Sequence, residues 1–449
     1  MDRSLLHRLT DRERVTFADR HPRSAAAYRK AGHLFGRVPM TWMNKTAAGF
    51  PIHLATARGN RITDVDGNTF VDFCLGDTAA MAGHSPAPVV AAVTRRLGVL
   101  GGASTMLPTE DAAAAGAELA RRFGLPYWSF ALTATDANRW AIRLLRAVTG
   151  RPKILVNSWC YHGSVDESLI VSGPDGGGRS RDGNVGAPVD VTVTSRVAEF
   201  NDLAGLEREL AHGDVAAVLM EPALTNIGIV LPEDGYLAGV RDLTRRHGTY
   251  LINDETHTFS AGPGGATGFW HLDPDVVTIG KAIGGGIPVG AYGLSAKLAD
   301  ALGGRADLDL IDMGGVGGTL AGNPVSMAAT RATLEEVLTD DAFAAMTARA
   351  STFAAGLSTI IAGYALPWSV SRLGARVEYR FADPAPRDGA QAARSADAEL
   401  EDFLHLYLAN RGVLLTPFHN MVLMCPETSE RDVDRHHEVF HAALGELAG

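Results

Sequence analysis

Two apolar runs between Tyr250 and Gly290 each end in a residue that can do chemistry. The first, Tyr250–Ile252, leads into the acids Asp254 and Glu255. The second, Asp275–Ile279, leads into Gly280-Lys281 and a run of glycines. A lysine closing a buried strand is costly, because a bare ammonium loses its hydration there. Burial lowers a lysine's pKa and frees its amine, which is what a lysine that forms Schiff bases needs. The plain alternative is a lysine snorkelling out of a strand end. An acid at a strand end about one strand–helix–strand step upstream favours the chemical reading.

That pairing of acid and amine suits one cofactor. Pyridoxal phosphate is the better electron sink when its ring nitrogen stays protonated, which a neighbouring carboxylate secures while a lysine holds the aldehyde carbon. From Asp254 through the Gly-Lys-Ala-Ile-Gly-Gly-Gly run, the stretch resembles the class III aminotransferases of the fold type I pyridoxal-phosphate enzymes, and within them the glutamate semialdehyde aminomutase-like branch. The resemblance extends from about Phe50 to Phe440. It implies Asp254 at the ring nitrogen and Lys281 at the aldehyde carbon.

Four further motifs carry the resemblance. Leu132-Thr133-Ala134-Thr135-Asp136-Ala137 sits between a strand and a helix, where hydroxyls and free amides cradle phosphate; capping of the helix by Thr135 is the simpler reading. The family carries glycine and glutamate where this chain has Ala134 and Asp136. Cys160-Tyr161-His162-Gly163 implies Tyr161 stacked on the cofactor ring; a buried tyrosine and a capping histidine are the alternative. Met220-Glu221-Pro222, with Asn226 beyond it, resembles the family's Glu-Pro motif, and implies Glu221 in the cofactor site and Asn226 at the phenolic oxygen; hydrogen bonding within the loop is the alternative for Asn226. Gly317-Gly318-Thr319-Leu320-Ala321-Gly322-Asn323-Pro324 implies that Thr319 reaches the phosphate of the neighbouring subunit of a homodimer.

Some positions depart from the family. After Asp254-Glu255 a valine is usual, whereas this chain has Thr256, whose methyl can pack on the ring, and then His257, which fits a core residue, a proton relay or a substrate contact. The aminomutase branch carries a carboxylate-binding arginine near its start; the equivalent Val38–Met43 has none, and Trp42 or Met43 stands there. A tryptophan of that branch is replaced near Asp77, which either pairs with a substrate amine or hydroxyl or caps the turn at Thr78. Arg376 and Arg380 share a strand face at period 2 unless a bulge intervenes. Either arginine could clamp a carboxylate or simply belong to a charged face. Both aminomutase departures argue against glutamate semialdehyde as substrate.

The elements that must position these residues alternate from about Pro108 to Ala299. Strands at Lys153–Asn157 and Val215–Met220 are interleaved with helices at Asp136–Thr149, Asn201–His212 and Leu237–His247. This is an α/β pattern with a mostly parallel sheet, and its ligands sit at the carboxyl ends of the strands. The resemblance makes this fold type I, with a large domain on a mostly parallel, seven-stranded-type sheet and a smaller α+β domain built from both termini. The expected boundaries are an N-terminal arm and hairpin over 1–75, the large cofactor domain over 76–325 and a C-terminal small domain over 326–449. Residues 1–45 suit an arm lying over a partner subunit, and a hairpin turns at Asp66-Gly67-Asn68. One long helical pattern runs on from Thr319, and Asp383–Ala398 is expected to be a mobile loop.

Composition narrows the rest. The 449 residues carry 46% hydrophobic and 20% charged side chains and a formal net charge of −10. That charge excludes a nucleic-acid or anionic-membrane binder as the first reading. No run is long enough to span a membrane, and the polar N-terminus lacks a signal-peptide core. Three widely spaced cysteines show neither a metal-binding nor a disulfide pattern, so a reducing cytoplasm and no metal are expected. The expected activity is transfer of an amino group between an amine or amino acid and a keto acid or aldehyde through Lys281. An aminomutase or an epimerase uses the same residues, and a cofactor-binding protein without turnover is the reading from another class.

Overall fold

The computed structural model describes residues 2–187, 189–308 and 314–448. The chain forms two compact units. One comprises Met1–Pro86, Ala345–Ala385 and Ser395–Gly449; the other comprises Ala87–Ala344 and Pro386–Arg394.

The first unit opens with helix α1 (Arg3–Arg20), capped by Asp2, and helix α2 (Pro22–Lys30). Helix α1 buries Leu6, Leu9 and Phe17. It also buries Glu13, whose carboxylate accepts hydrogen bonds from Asn410 and Arg411 at the end of helix Ala398–Asn410. These bonds and α1's packing on that helix anchor it to its own chain. Strands β1 (Leu54–Arg58), β2 (Arg61–Asp64) and β3 (Thr69–Asp72) follow as antiparallel neighbours, with Gly67 at φ 90° in the expected turn.

The second unit is built on a seven-stranded sheet. In chain order it takes up β4 (Tyr127–Ala131), β5 (Lys153–Asn157), β8 (Ser195–Ala198), β9 (Val215–Met220), β10 (Tyr250–Asp254), β11 (Val276–Gly280) and β12 (Gly290–Leu294); β6 (Ile170–Ser172) and β7 (Gly178–Ser180) form a separate hairpin. The spatial order is β4-β12-β11-β10-β9-β5-β8. Only β12 runs against its neighbours. Strand β9 reads VAAVLM and is buried throughout, because both faces of a parallel sheet are covered. Helices α3 (Ala87–Arg95), α4 (Glu110–Phe123) and α5 (Ala134–Thr149) lie in this unit. The apolar face of α5, with Ala137, Ala141 and Leu145, joins the sheet core.

Two expectations about the later chain are corrected. The long helical pattern is split into helices Pro324–Ala332 and Asp340–Gly363. Asn323 caps the first, and Thr339 accepts a hydrogen bond from the Ala342 amide at the start of the second. Segment Asp383–Ala398 is not simply a loop: it contains helix Gly389–Arg394, and Ala392 packs into the apolar core of the seven-stranded unit. The chain then completes the first unit with β13 (Ser369–Leu373), β14 (Arg376–Arg380), β15 (Val413–Leu414) and β16 (Met421–Leu423). Strand β15 extends the N-terminal sheet by pairing with β3.

The central strands set the stability of the site-bearing unit. Ile252 of β10 is fully buried. Ile252→Ala should cost about 2–5 kcal/mol, read as a lower urea midpoint for unfolding of the purified protein.

Candidate active site

The carboxyl ends of β4, β5, β9, β10 and β11 point the same way, and the candidate residues lie in the turns that leave them. Asp254 is the last residue of β10 and only 3% exposed. Its carboxylate accepts from Asn138 Nδ2 at 2.8 Å and from the Thr256 amide at 3.0 Å, and lies 2.9 Å from His162 Nδ1. Burial alone would raise the Asp254 pKa. The hydrogen bond and charge of His162, with bonds from Thr256 and Asn138, outweigh it and hold the carboxyl below its ordinary value. For His162, burial pulls the other way from Cys160 and Asp254. The result is an imidazole raised well above its ordinary value. Both shifts favour the charged forms of the His162–Asp254 pair.

Asn138 is itself pinned. It sits on α5, fully buried, and its Oδ1 accepts from Thr278 Oγ1 of β11 at 2.6 Å. Neither Asn138 nor the His162–Asp254 contact was legible in the sequence. A polar residue at spacing 138, 141, 145 on an otherwise apolar helix face is the signal that could have flagged Asn138. His162, expected as a cap, instead pairs with Asp254.

At the start of α5 the cap is Thr133, not Thr135: its Oγ1 accepts from the Asp136 amide at 3.1 Å. Ala134 has no positive φ and opens the helix, so alanine fits where the family has glycine. Thr135 Oγ1 accepts from the Ser164 amide at 3.3 Å. Gly163 sits against Thr135 at φ 80°, and a Cβ there would lie 1.9 Å from Thr135 Oγ1. A Cβ on Gly290 would lie 2.3 Å from the Thr133 carbonyl. The first turn of α5 is thus framed by backbone with no room for side chains, as close approach to an anion requires.

Glu221 is buried at the end of β9. It accepts from the Tyr161 amide at 3.2 Å and from the Thr225 amide and hydroxyl. Burial pushes its carboxyl up. Tyr161 is 39% exposed, so its ring faces open space and not the core. Thr256 is buried and Asn226 half-buried. Glu255 is a structural acid: it accepts from Thr258 Oγ1 and from the Ala266 and Thr267 amides of the next helix.

Lys281 follows β11 and is partly buried, less enclosed than a strand-end lysine was expected to be. Its backbone is left-handed at φ 49°, and its Nζ lies 2.9 Å from His257 Nε2. His257 was expected chiefly as a core residue; it is buried, but against the lysine. Thr319 is exposed and lines a cleft of about 290 Å³ with Leu132, Asp136 and Trp140.

The remaining candidates lie in the other unit. Arg376 is 1% exposed and donates to Thr78 Oγ1, next to Asp77. Residues Leu75, Gly76, Asp77 and Thr78 are all left-handed, at φ 46°, 59°, 50° and 83°. Such backbone costs roughly 1–2 kcal/mol for each non-glycine residue. Strand β14 pairs without a bulge, so Arg376, Glu378 and Arg380 share a face, and Glu378 lies between the two arginines. Trp42 is 47% exposed and meets Phe418 edge-on. No cluster of metal-binding side chains occurs among the described residues.

The residues fit pyridoxal phosphate: an ionised buried carboxylate, a lysine on the neighbouring strand end and a side-chain-free cradle at a helix start. The sequence model of the family described as aminotransferase class-III matches residues 42–444. A glutamate-1-semialdehyde 2,1-aminomutase of Desulfitobacterium hafniense is 33% identical over 395 residues, covering 87% of this chain and 90% of that one. The crystal structure of a glutamate-1-semialdehyde-aminomutase from Pseudomonas aeruginosa PAO1 is 46% identical with a TM-score of 0.95, covering 100% of this chain and 99% of that one. A variant of that protein is known in complex with PMP. An omega-transaminase from Sphaerobacter thermophilus is 30% identical with a TM-score of 0.86, covering 95% and 98%.

The His162–Asp254 pair has a pH signature. A histidine whose pKa is raised by folding stabilises fully below about pH 6.5, and that contribution is lost as pH rises through the raised value. The melting midpoint of the parent should exceed that of His162→Gln most near pH 6, with the gap narrowing as pH rises through the raised value. A gap that widens with pH would contradict a charged His162. Separately, Gly163→Ala should weaken pyridoxal phosphate binding at least about tenfold through the strained left-handed backbone and the clash with Thr135, measured by absorbance titration of the folded apoprotein.

Proposed function

The chain belongs to the class III aminotransferases, enzymes of fold type I that work with pyridoxal phosphate, and from that premise we propose that it moves an amino group between an amine or amino acid and a keto acid or aldehyde. The observation that carries this is Asp254, held ionised in the core one strand away from Lys281. Pyridoxal phosphate supplies the electron-withdrawing ring that takes up charge from the reacting carbon. Asp254 keeps a proton on the ring nitrogen, and Lys281 holds the aldehyde carbon and moves a proton at the substrate carbon. Ala134 and Thr135 bind the phosphate at the start of α5. Tyr161, whose backbone Glu221 fixes, and Thr256 would flank the ring, and Asn226 would donate to the phenolic oxygen.

The proposed active unit is a homodimer in which Thr319 of one protomer serves the phosphate of its partner. Exposed apolar side chains support it: Val99, Met106 and Leu107 are 78%, 81% and 69% exposed, and Leu320 beside Thr319 is 50% exposed. A cytoplasmic location accords with three free cysteines, and no described helix is long and apolar enough to cross a membrane.

Trp42, Asp77 and Arg376 are proposed on the substrate side. The absence of an arginine from Val38–Met43 argues for a substrate other than glutamate semialdehyde. An aminomutase is the second reading, favoured by the 46% identity to the aminomutase structure. A screen of amino donors against the holoenzyme separates them. A complete half reaction, with spectral conversion of the cofactor and release of a keto product, identifies the transferase; an isomerised amine without keto product identifies the mutase.

Borohydride reduction followed by peptide mapping should place the pyridoxyl label on Lys281, and a label on any other lysine sinks the assignment. Lys281→Ala should retain cofactor without turnover. Asp254→Asn should lose at least about a hundredfold in kcat with a far smaller loss of cofactor affinity; near-parental turnover would remove Asp254 from the ring nitrogen.

A further inference from the structure

Strands β10 and β11 are parallel neighbours, and Asp254 is in register with Thr278. His257 and Lys281 lie at the same offset beyond these two register partners, so the sheet carries both side chains out of the same edge. Their nitrogens meet at 2.9 Å. His257 is 9% exposed, which removes its imidazole from competition with bulk water. The left-handed backbone of Lys281 is tolerated at a residue with a side chain, the kind of local strain that clusters where a side chain must be aimed.

The other two acid–base groups of this turn are engaged elsewhere. Asp254 accepts from Asn138 and the Thr256 amide and pairs with His162; Glu255 accepts from Thr258 Oγ1 and the amides of Ala266 and Thr267. His257 is the group of this turn placed to exchange a proton with the lysine.

We propose that His257 is the proton acceptor for Lys281, an inference that rests on Lys281 being the residue that captures the cofactor. The ammonium of Lys281 donates to Nε2 of a neutral imidazole, which requires the ring proton on Nδ1. Transfer breaks one N–H bond on Nζ and forms one on Nε2. It leaves the amine lone pair free to attack an aldehyde carbon, and the imidazolium then gives its proton to the carbonyl oxygen, which departs as water. His257 acts through Lys281 and is a positioning and proton-holding residue, distinct from the Asp254–His162 pair.

The test measures how fast and how completely Lys281 of the cofactor-free protein captures pyridoxal phosphate, trapped by borohydride at timed intervals and mapped to the peptide. In His257→Gln the amide still accepts a hydrogen bond but takes no proton. Capture should slow by about a hundredfold, while the amount captured at equilibrium stays at the parental level. His257→Asn replaces it if the glutamine variant does not fold. Parental capture rates in the amide variant would show that orientation suffices and overturn the proposal. Equal losses of rate and of equilibrium capture would show a merely structural histidine and overturn it as well. If the parent itself is labelled at another lysine, the reading of Lys281 fails first, and that outcome is told apart by the peptide map.

Discussion

A carboxylate taken out of water costs several kcal/mol unless its charge is answered, and the site-bearing unit is arranged around one that is. Asp254 is answered by three donors from three places in the chain: Asn138 on α5, His162 after β5, and the Thr256 amide of its own turn. Asn138 is also tied to Thr278 on β11. The packing of α5 on the sheet and the ionisation of Asp254 are therefore one arrangement. Displacing the helix would remove one of the three donors to a buried charge, a costly fault in a core.

The same arrangement aligns the rest of the site. Parallel strands deliver their last residues to one edge, so Asp254 and Lys281 arrive together without any long connection of their own. The start of α5 sits at that edge between Gly163 and Gly290, where added side chains would collide with Thr135 and Thr133. Glu221 then fixes the Tyr161 backbone from the next strand. The proposed chemistry falls to groups positioned by the sheet, while His257 occupies a turn that leaves it.

The smaller unit shows a second, independent piece of order. Four consecutive left-handed residues bring Thr78 onto the buried Arg376, with Asp77 beside it. On β14 the expected pair of arginines on one face is interrupted by Glu378, which lies 3.9 Å from Arg380.

Much of this was legible in the residue order. The apolar runs that end in Asp254 and Lys281, the strands at Lys153–Asn157 and Val215–Met220, and the glycines around them follow from local pattern, since strand periodicity and turn preference are properties of short segments. That determined the fold class and the acid–amine pair. Local pattern does not register which distant side chains will share a buried volume. Only the tertiary structure decided that His162 answers Asp254, that Asn138 locks helix to sheet, and that His257 faces Lys281. The physical reason is the same each time: the energy of a buried polar group depends on its partners, and those partners are chosen by strand register and helix packing across more than a hundred residues in the longest of these cases, Asn138 to Thr278.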